Sequence, residues 1–357
     1  MTAQPLRVGV VFGGRSGEHE VSLRSATSVM RALQAAGYVV VPLAMDREGR
    51  WLEGPEALRL LAGEATEQRA RPLPPADLLQ RLDVVFPVLH GPFGEDGTVQ
   101  GLLELLDVPY VGCGVLASAI GMDKAASKAI FAAAGLPLVP YLVLKRCDWE
   151  AAPEATMDHI EARLAYPMFV KPANLGSSVG VSKAKSRADL ARGLRLAARY
   201  DRKLIVEQGI EAREIEVSVL GNDRPLASVP GEIVPAREFY DYEAKYVDPN
   251  SALLIPAPLP SALAERAQQL AVAAFLAIDG AGMARVDFLL DRRTNELYLN
   301  EVNTIPGFTD ISMYPKLWEA SGLSYPALME RLIALALERA EERRRCATRR
   351  LPDEEEA

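Results

Sequence analysis

Residues 6–12 form a short β-branched run ending in Gly13 and Gly14, after which apolar residues recur at helical spacing over 21–36 until Gly37 stops them. Strands are predicted at 39–43 and 84–89, the second running into the turn-rich HGPFGEDG, and a helix over 99–106 leads to residues 108–111. Strands alternating with helices imply a mainly parallel, doubly wound sheet. Residues 53–76, rich in Ala, Leu, Pro and Glu, suit a peripheral helix and loop.

From Met122 the pattern changes. A helix over 124–134, a strand near Tyr141, a helix over 157–164, a strand at 168–170, a glycine-serine loop, a helix over 188–198 and a strand at 204–207 make a compact α+β module. A third block opens near Glu214, with strands at 215–220 and 226–229. Residues 230–260 are dense in Pro, Tyr and charge without periodicity; stretches of that length are lids or disordered, and a lid is the expectation. The chain runs helical from Leu337 into RRRCATRRLPDEEEA, expected to be a frayed, solvated helix end. The expected division is 1–112, 113–207 and 208–345 with a lid over 231–258, then a charged tail at 346–357.

Composition narrows the function classes. With 49% hydrophobic and 25% charged residues the chain reads as globular, and 357 residues at roughly 100–200 per domain fit two or three domains. A net charge of -8 speaks against general nucleic-acid affinity, which needs a surplus of Lys and Arg, so an anionic ligand would require a local basic cluster. Cys113, Cys147 and Cys346 are scattered singly, without zinc spacing or a disulfide framework, as suits a reducing cytoplasm. MTAQPLRVGVVFGG lacks the features of a signal peptide, and no apolar run reaches the ~18 residues of a membrane span, so no membrane partner is expected.

The strongest local signal is GMARVDFLLDRRTNELYLNEVNTIPGF, two hydrophobic runs joined by a polar turn, which predicts a β-hairpin. Asp287 and Glu301 each lie seven positions from Thr294, and Arg285 and Asn303 each lie nine, so a hairpin centred on Thr294 pairs them across the strands. Positions two apart share a face, so four polar groups meet, with paired Cβ atoms ~4.5–5.5 Å apart. Two carboxylates so close repel unless a cation intervenes. Magnesium takes oxygen ligands, commonly one or two carboxylates plus substrate phosphates, and Asn303 can add a neutral oxygen. Two ions ~3.5–4 Å apart bridged by a carboxylate also fit. The competing explanation is a solvent-facing hairpin with a salt bridge from Arg285 to Glu301 or Asp287, which needs neither Asn303 nor the Pro306-Gly307 turn.

A second signal is Lys171 at a strand end, followed by Asn174, Leu175, Gly176, Ser177, Ser178, Val179 and Gly180. One ammonium and several backbone N–H groups there could cradle phosphates, although the P-loop order is absent and such turns are often only turns. Lys124 offers another phosphate contact, Glu207 an acceptor for adenine and Glu214 one for ribose; each alone would pass for a surface residue. Lys124, Lys171, Lys245 and Arg285 together would supply the positive field ATP requires. At the N-terminus, VFGGRSGEHEVS does not make the dinucleotide glycine pattern. His90 ends an apolar strand, where ligands of open parallel sheets collect, while Glu18 near a helix start equally suits a favourable helix charge.

Read together, FGGRSGEHEVS, HGPFGEDGTVQG, MDK, FVKPANLGSSVG, YDYEAKY, ARVDF and LNEVNTIPGFT resemble the D-alanine-D-alanine ligases of the ATP-grasp superfamily, in that order and over nearly the whole chain. The resemblance implies an α/β (α+β three-domain) ATP-grasp fold with an N-terminal doubly wound parallel-sheet domain, and ATP between the central and C-terminal domains. It implies two magnesium ions, with manganese a substitute, on Asp287, Glu301 and Asn303. Lys124, Lys171 and Lys245 are similar to phosphate-contacting lysines, Glu207 and Glu214 to adenine and ribose partners, and Ser177, Ser178 and Asn300 fall among the nucleotide contacts. Glu18, Ser177 and Tyr246 resemble a trio tying the first helix, the loop and the lid over the substrate. His90 matches a first-substrate histidine, Lys245 a substrate contact, and Ser312 a contact to the second substrate's carboxylate.

The implied chemistry passes the γ-phosphoryl of ATP to one D-alanine carboxylate, then lets the amine of a second attack the acyl phosphate. Arg285 and the Gly307 N–H would stabilise the oxyanion, and a lid would exclude water. Leu175 departs from the family's usual charged residue there, which leaves open how the lid meets that loop. D-alanine-D-lactate and D-alanine-D-serine ligases are alternatives within the fold, and a binding protein that has lost catalysis, or a nicotinamide oxidoreductase, lies outside it. A homodimer in the cytoplasm making peptidoglycan precursors is the implied setting.

Overall fold

The computed structural model describes residues 4–64, 70–72, 74–234, 252–309 and 311–347. Its strands are β1 (Arg7–Gly13), β2 (Val39–Met45), β3 (Trp51–Glu53), β4 (Val84–Pro87), β5 (Tyr141–Lys145), β6 (Met168–Pro172), β7 (Ser182–Ala184), β8 (Lys203–Gln208), β9 (Ala212–Gly221), β10 (Leu226–Ala227), β11 (Gly231–Val234), β12 (Ala252–Leu254), β13 (Gly282–Asp291) and β14 (Leu297–Asn303). They make three sheets.

The first has the order β3-β2-β1-β4, with β1 parallel to both neighbours and β3 antiparallel at the edge. Covered on both faces, β1 is apolar and buried after the exposed Arg7, as buried parallel strands are. Alternation still sorts its side chains, with Val8, Val10 and Phe12 entering one core and Val11 another. Residues 108–111 contribute a single bridge, Val85 to Tyr110.

The second sheet, β5-β8-β6-β7, is antiparallel. Met168, Val170, Leu204 and Val206 pack against the helices Pro153–Glu161 and Arg187–Ala197, leaving Lys171, Ile205 and Glu207 on the opposite face. The third sheet, β12-β11-β9-β13-β14 with β10 beside β9, packs Ile215, Val217 and Val219 against the helix Ser261–Ala277, which the periodicity did not single out.

Two expectations need correction. The ends of the expected lid over 231–258 are strands: β11 pairs with both β9 and β12, satisfying its backbone groups in the sheet. Residues 235–251 lie outside the described residues. The C-terminal helix begins at Tyr325 rather than Leu337 and is not frayed through Arg345. Its arginines are tied to residues 104–112: Arg339 donates to Gly112 O at 2.6 Å and stacks 4.2 Å from the Tyr110 ring centre, while Arg343 bonds Glu104 and Asp107. Of the tail, residues 348–357 lie outside the described residues. Ile305, Phe308, Tyr314, Trp318 and Leu328 join Val8, Phe12 and Phe86 in one core, so late residues of the chain help to cover the first sheet.

Candidate active site

The β13–β14 hairpin brings its polar residues together as a matter of backbone register. Arg285 lies opposite Asn303, and Asp287 opposite Glu301. Thr294 is the centre only for these pairs, because a β-bulge after Asp287 shifts the register and Phe288 pairs with Leu299. The extra residue is Asn300; two successive side chains, Asn300 and Glu301, consequently sit on the partly exposed face where strict alternation would bury one.

The salt bridge expected as a competing explanation does form. Arg285 grips Asp287 with two bonds of 2.7 Å and lies 3.0 Å from Glu216, which β9 places opposite Asp287. Asn303 Nδ2 donates to Asp287 Oδ2 at 2.9 Å, so its carbonyl oxygen is the end left to accept from elsewhere. Lys124 Nζ is 3.3 Å from Glu301. Three carboxylates against two cations leave surplus negative charge and oxygen donors, chemistry that suits magnesium. Among the described residues no three His, Cys, Asp or Glu side chains gather as a complete cage, so phosphate oxygens would have to finish the shell.

Facing the hairpin is the loop after β6. Lys124 joins the two, donating to Leu175 O at 2.8 Å while it pairs with Glu301. Ser177 and Ser178 hold φ values of +48° and +59°, a left-handed conformation that costs roughly 1–2 kcal/mol per non-glycine residue. Ser177 Oγ donates to Glu18 Oε1 in a short bond across to the helix His19–Ala35. Gly176 permits this approach, since a Cβ there would come within 2.7 Å of Glu18 Oε2.

Glu18 and His90 are both buried beside the loop. His90 Nδ1 is 3.1 Å from Ile305 O, which can only accept, so the proton sits on Nδ1, and Nε2 faces Ser25 Oγ at 3.5 Å. Ser25 Oγ in turn accepts from Phe308 N at 3.3 Å, anchoring the Pro306-Gly307 turn to the first helix. Burial holds the His90 pKa below its ordinary value despite the nearby Glu18 carboxylate. Ser312 Oγ accepts from Thr309 N at 2.9 Å, and a Cβ on Gly307 would meet it at 2.8 Å, so that turn has no room for a larger residue.

On the second sheet, Glu207 does not stand open as an acceptor. Its carboxylate lies between Lys171 Nζ at 2.5 Å and Lys128 Nζ at 2.9 Å, and although burial opposes ionisation the two ammoniums hold its pKa well below the usual carboxylate range. Glu214 lies on β9 between Ile233 and Leu289. Lys245 and Tyr246 are outside the described residues.

The model described as the D-Ala D-Ala ligase N-terminus matches residues 7–113, and that of the D-Ala D-Ala ligase C-terminus matches 130–334. The chain belongs to the D-alanine-D-alanine ligase family. The D-alanine-D-alanine ligase of Heliobacterium modesticaldum is 56% identical, covering 97% of this chain and 98% of its own. That of Geobacillus kaustophilus is 50% identical over 94% and 96% of the two chains. Among solved structures, the D-alanine-D-alanine ligase from Coxiella burnetii superposes with a TM-score of 0.83 at 38% identity, covering 96% of this chain and 97% of that one. The VanG D-Ala:D-Ser ligase from Enterococcus faecalis gives 0.82 at 35% identity, over 93% and 100%. The ATP-grasp fold of the family is therefore this chain's fold.

Sequence reasoning passed over two residues beside the candidate site. Lys128 is one helical turn from Lys124, a spacing that puts both on one face and could have been noticed. Glu95 lay within the quoted HGPFGEDG but received no role; its Oε1 accepts from Gly91 N at 2.8 Å. Burial, then the Glu18 and Glu301 carboxylates, push its pKa up to about 8 against the Gly91 N–H and Lys124.

Proposed function

We propose that the chain is an ATP-dependent ligase that phosphorylates the carboxylate of one D-alanine and joins it to the amine of a second, forming D-alanyl-D-alanine, ADP and phosphate. The observation that carries this reading is Lys124, which links the glycine-serine loop to the hairpin through Leu175 O and Glu301. A polyphosphate lying between those elements would meet Lys124, Lys171 and the Ser177 and Ser178 N–H groups. Glu214 and Asn300 would face the rest of the nucleotide, and Lys245 and Tyr246 would come from the lid.

Asp287, Glu301 and Asn303 would hold magnesium, whose charge makes the γ-phosphoryl group more electrophilic and the departing ADP more stable. Manganese, with similar oxygen preferences, would substitute, and Asp287, Glu301 and Asn303 would be shared between two ions. Glu18 would hold the first D-alanine's ammonium near His90. Arg285 and the Gly307 N–H would receive the charge that develops on the carbonyl oxygen as the second amine attacks. Ser312 would bind the second carboxylate.

ADP release should require D-alanine and a divalent metal. Faster turnover with D-lactate or D-serine than with a second D-alanine, measured by mass spectrometry of the product, would replace this reading with a variant ligase. We further infer three domains at 1–112, 113–207 and 208–345, and a cytoplasmic homodimer. A sedimentation experiment giving a monomer at assay concentration would remove the dimer.

A further inference from the structure

The helix Lys124–Ala133 carries two lysines one turn apart with different fates. Lys124 reaches the loop and the hairpin. Lys128 turns inward and is fully buried, its ammonium 2.9 Å from Glu207 and 5.6 Å from the Tyr141 ring centre. Strand pairing explains the meeting: Tyr141 and Phe169 lie opposite Glu207, and Lys171, opposite Ile205, is its diagonal neighbour on the same face.

A helix packed on this sheet needs no ammonium at position 128. A buried charge costs several kcal/mol to desolvate, and apolar side chains of like volume often replace buried ion pairs without loss of stability. One lysine already balances Glu207. The second leaves the trio with one surplus positive charge, and that charge has a single outlet: the Lys171 side chain is 14% exposed, against 1% for Lys128 and 3% for Glu207. Glu214 and Glu301 also act on Lys171 through space. Without Lys128, three carboxylates would bear on Lys171 before any phosphate arrived.

We propose that Lys128 is a positioning residue for the nucleotide's phosphates: by sharing the Glu207 carboxylate, it leaves the charge of Lys171 available to an anion. This deepens the ligase reading and rests on it. No bond is made or broken by Lys128, which touches neither phosphate nor substrate. Its effect falls on nucleotide affinity.

The test compares the full-length wild type with Lys128→Met and Lys128→Arg, measuring KM for ATP and kcat at saturating D-alanine, inhibition by ADP and by adenosine, and melting temperature with and without ADP. Lys128→Met should raise KM for ATP about tenfold, the scale expected from losing one unit charge near a shielded site, with kcat within about threefold. ADP should inhibit more weakly in proportion, adenosine as before, and the ADP-induced rise in melting temperature should shrink. The ligand-free protein should melt no lower than wild type, and Lys128→Arg should recover most of the ATP affinity.

A lower ligand-free melting temperature with unchanged KM would make Lys128 merely structural and overturn the proposal. So would equal weakening of ADP and adenosine. Should Lys128→Met fail to melt cooperatively, Lys128→Gln is read by the same two criteria. A wild type that forms no ADP with D-alanine would sink the ligase reading itself, whereas normal wild-type turnover with an unchanged Lys128→Met KM would sink this inference alone.

Discussion

The β13–β14 hairpin and the loop after β6 face each other, but their geometry comes from different sources. In the hairpin, ladder pairing sets which residues meet, and a single bulge turns both Asn300 and Glu301 toward the site. In the loop, no ladder holds residues 174–180. Side chains from elsewhere do: Lys124 on Leu175 O, Glu18 on Ser177, and Asp201, which accepts from Asn174 N at 2.8 Å. A backbone-encoded site should tolerate loss of a functional side chain without losing its shape, while a tethered one should lose shape with the tether.

The sharpest test of the first half is Asp287→Asn. Strand pairing persists, so the protein should fold and melt within a few degrees of wild type. Charge compensation at the phosphates, worth several kcal/mol, should go, lowering kcat by about 10³-fold. Circular dichroism and ADP release measured on one preparation decide it, and near-normal turnover would remove Asp287 from the proposed metal ligands. For the loop, Ser177→Ala deletes a tether to a carboxylate, an interaction of ~1.5–3 kcal/mol, and kcat/KM should fall about 10- to 100-fold. Protease cleavage within residues 174–180 should accelerate alongside. An equal loss of activity with unchanged cleavage would mean that Ser177 acts on substrate directly and the tether matters little.

The same distinction explains what could be read from the sequence. Hairpin pairs follow from counting, because registry is local arithmetic. Even so, counting from Thr294 succeeded only through a compensating bulge: nearer the turn, Leu290 pairs with Leu297, a register that continued unbroken would have set Asp287 opposite Asn300. Tethers join residues far apart in sequence, such as Glu18 with Ser177 and Lys128 with Glu207, and no periodicity announces them. Motif order suggested the first through the family resemblance. The second carries only a lysine pair at helical spacing. The entry of Ile305 and Phe308 into the first sheet's core was equally hidden, since an apolar segment does not say which core it joins.

His90 makes stability sensitive to pH through burial rather than through its hydrogen bond, because the Nδ1–H that donates to Ile305 O is present in both protonation states. Burial depresses its pKa in the folded protein, so below the unfolded value near 6.5 the unfolded chain binds a proton that the folded one refuses. Stability from this group is therefore present above about pH 6.5 and falls as the pH drops toward the folded value, by up to ~1.4 kcal/mol per unit. Urea unfolding at pH 7.5 and 5.5 should show a steeper decline for wild type than for His90→Gln. Parallel declines would mean that the burial of a neutral His90 ring does not account for the loss of stability at low pH.

The smallest effect is expected where tethers are wettest. Arg343 joins the C-terminal helix to Glu104 and Asp107, but about a third of its side chain is exposed (33%), as is 63% of Asp107's. Exposed ion pairs contribute ~0–1 kcal/mol and are screened, with a Debye length near 3 Å at 1 M salt. Arg343→Ala should thus lower stability by less than about 1 kcal/mol in dilute buffer and by almost nothing in 1 M sodium chloride. Arg339 differs, since it is bonded to Gly112 O and stacked on Tyr110, so Arg339→Ala should cost more and keep most of that cost in salt. If both variants lost their effect in salt, the helix would be docked by its apolar face alone, through residues such as Leu328 and Leu332, and the arginines would add no geometry of their own.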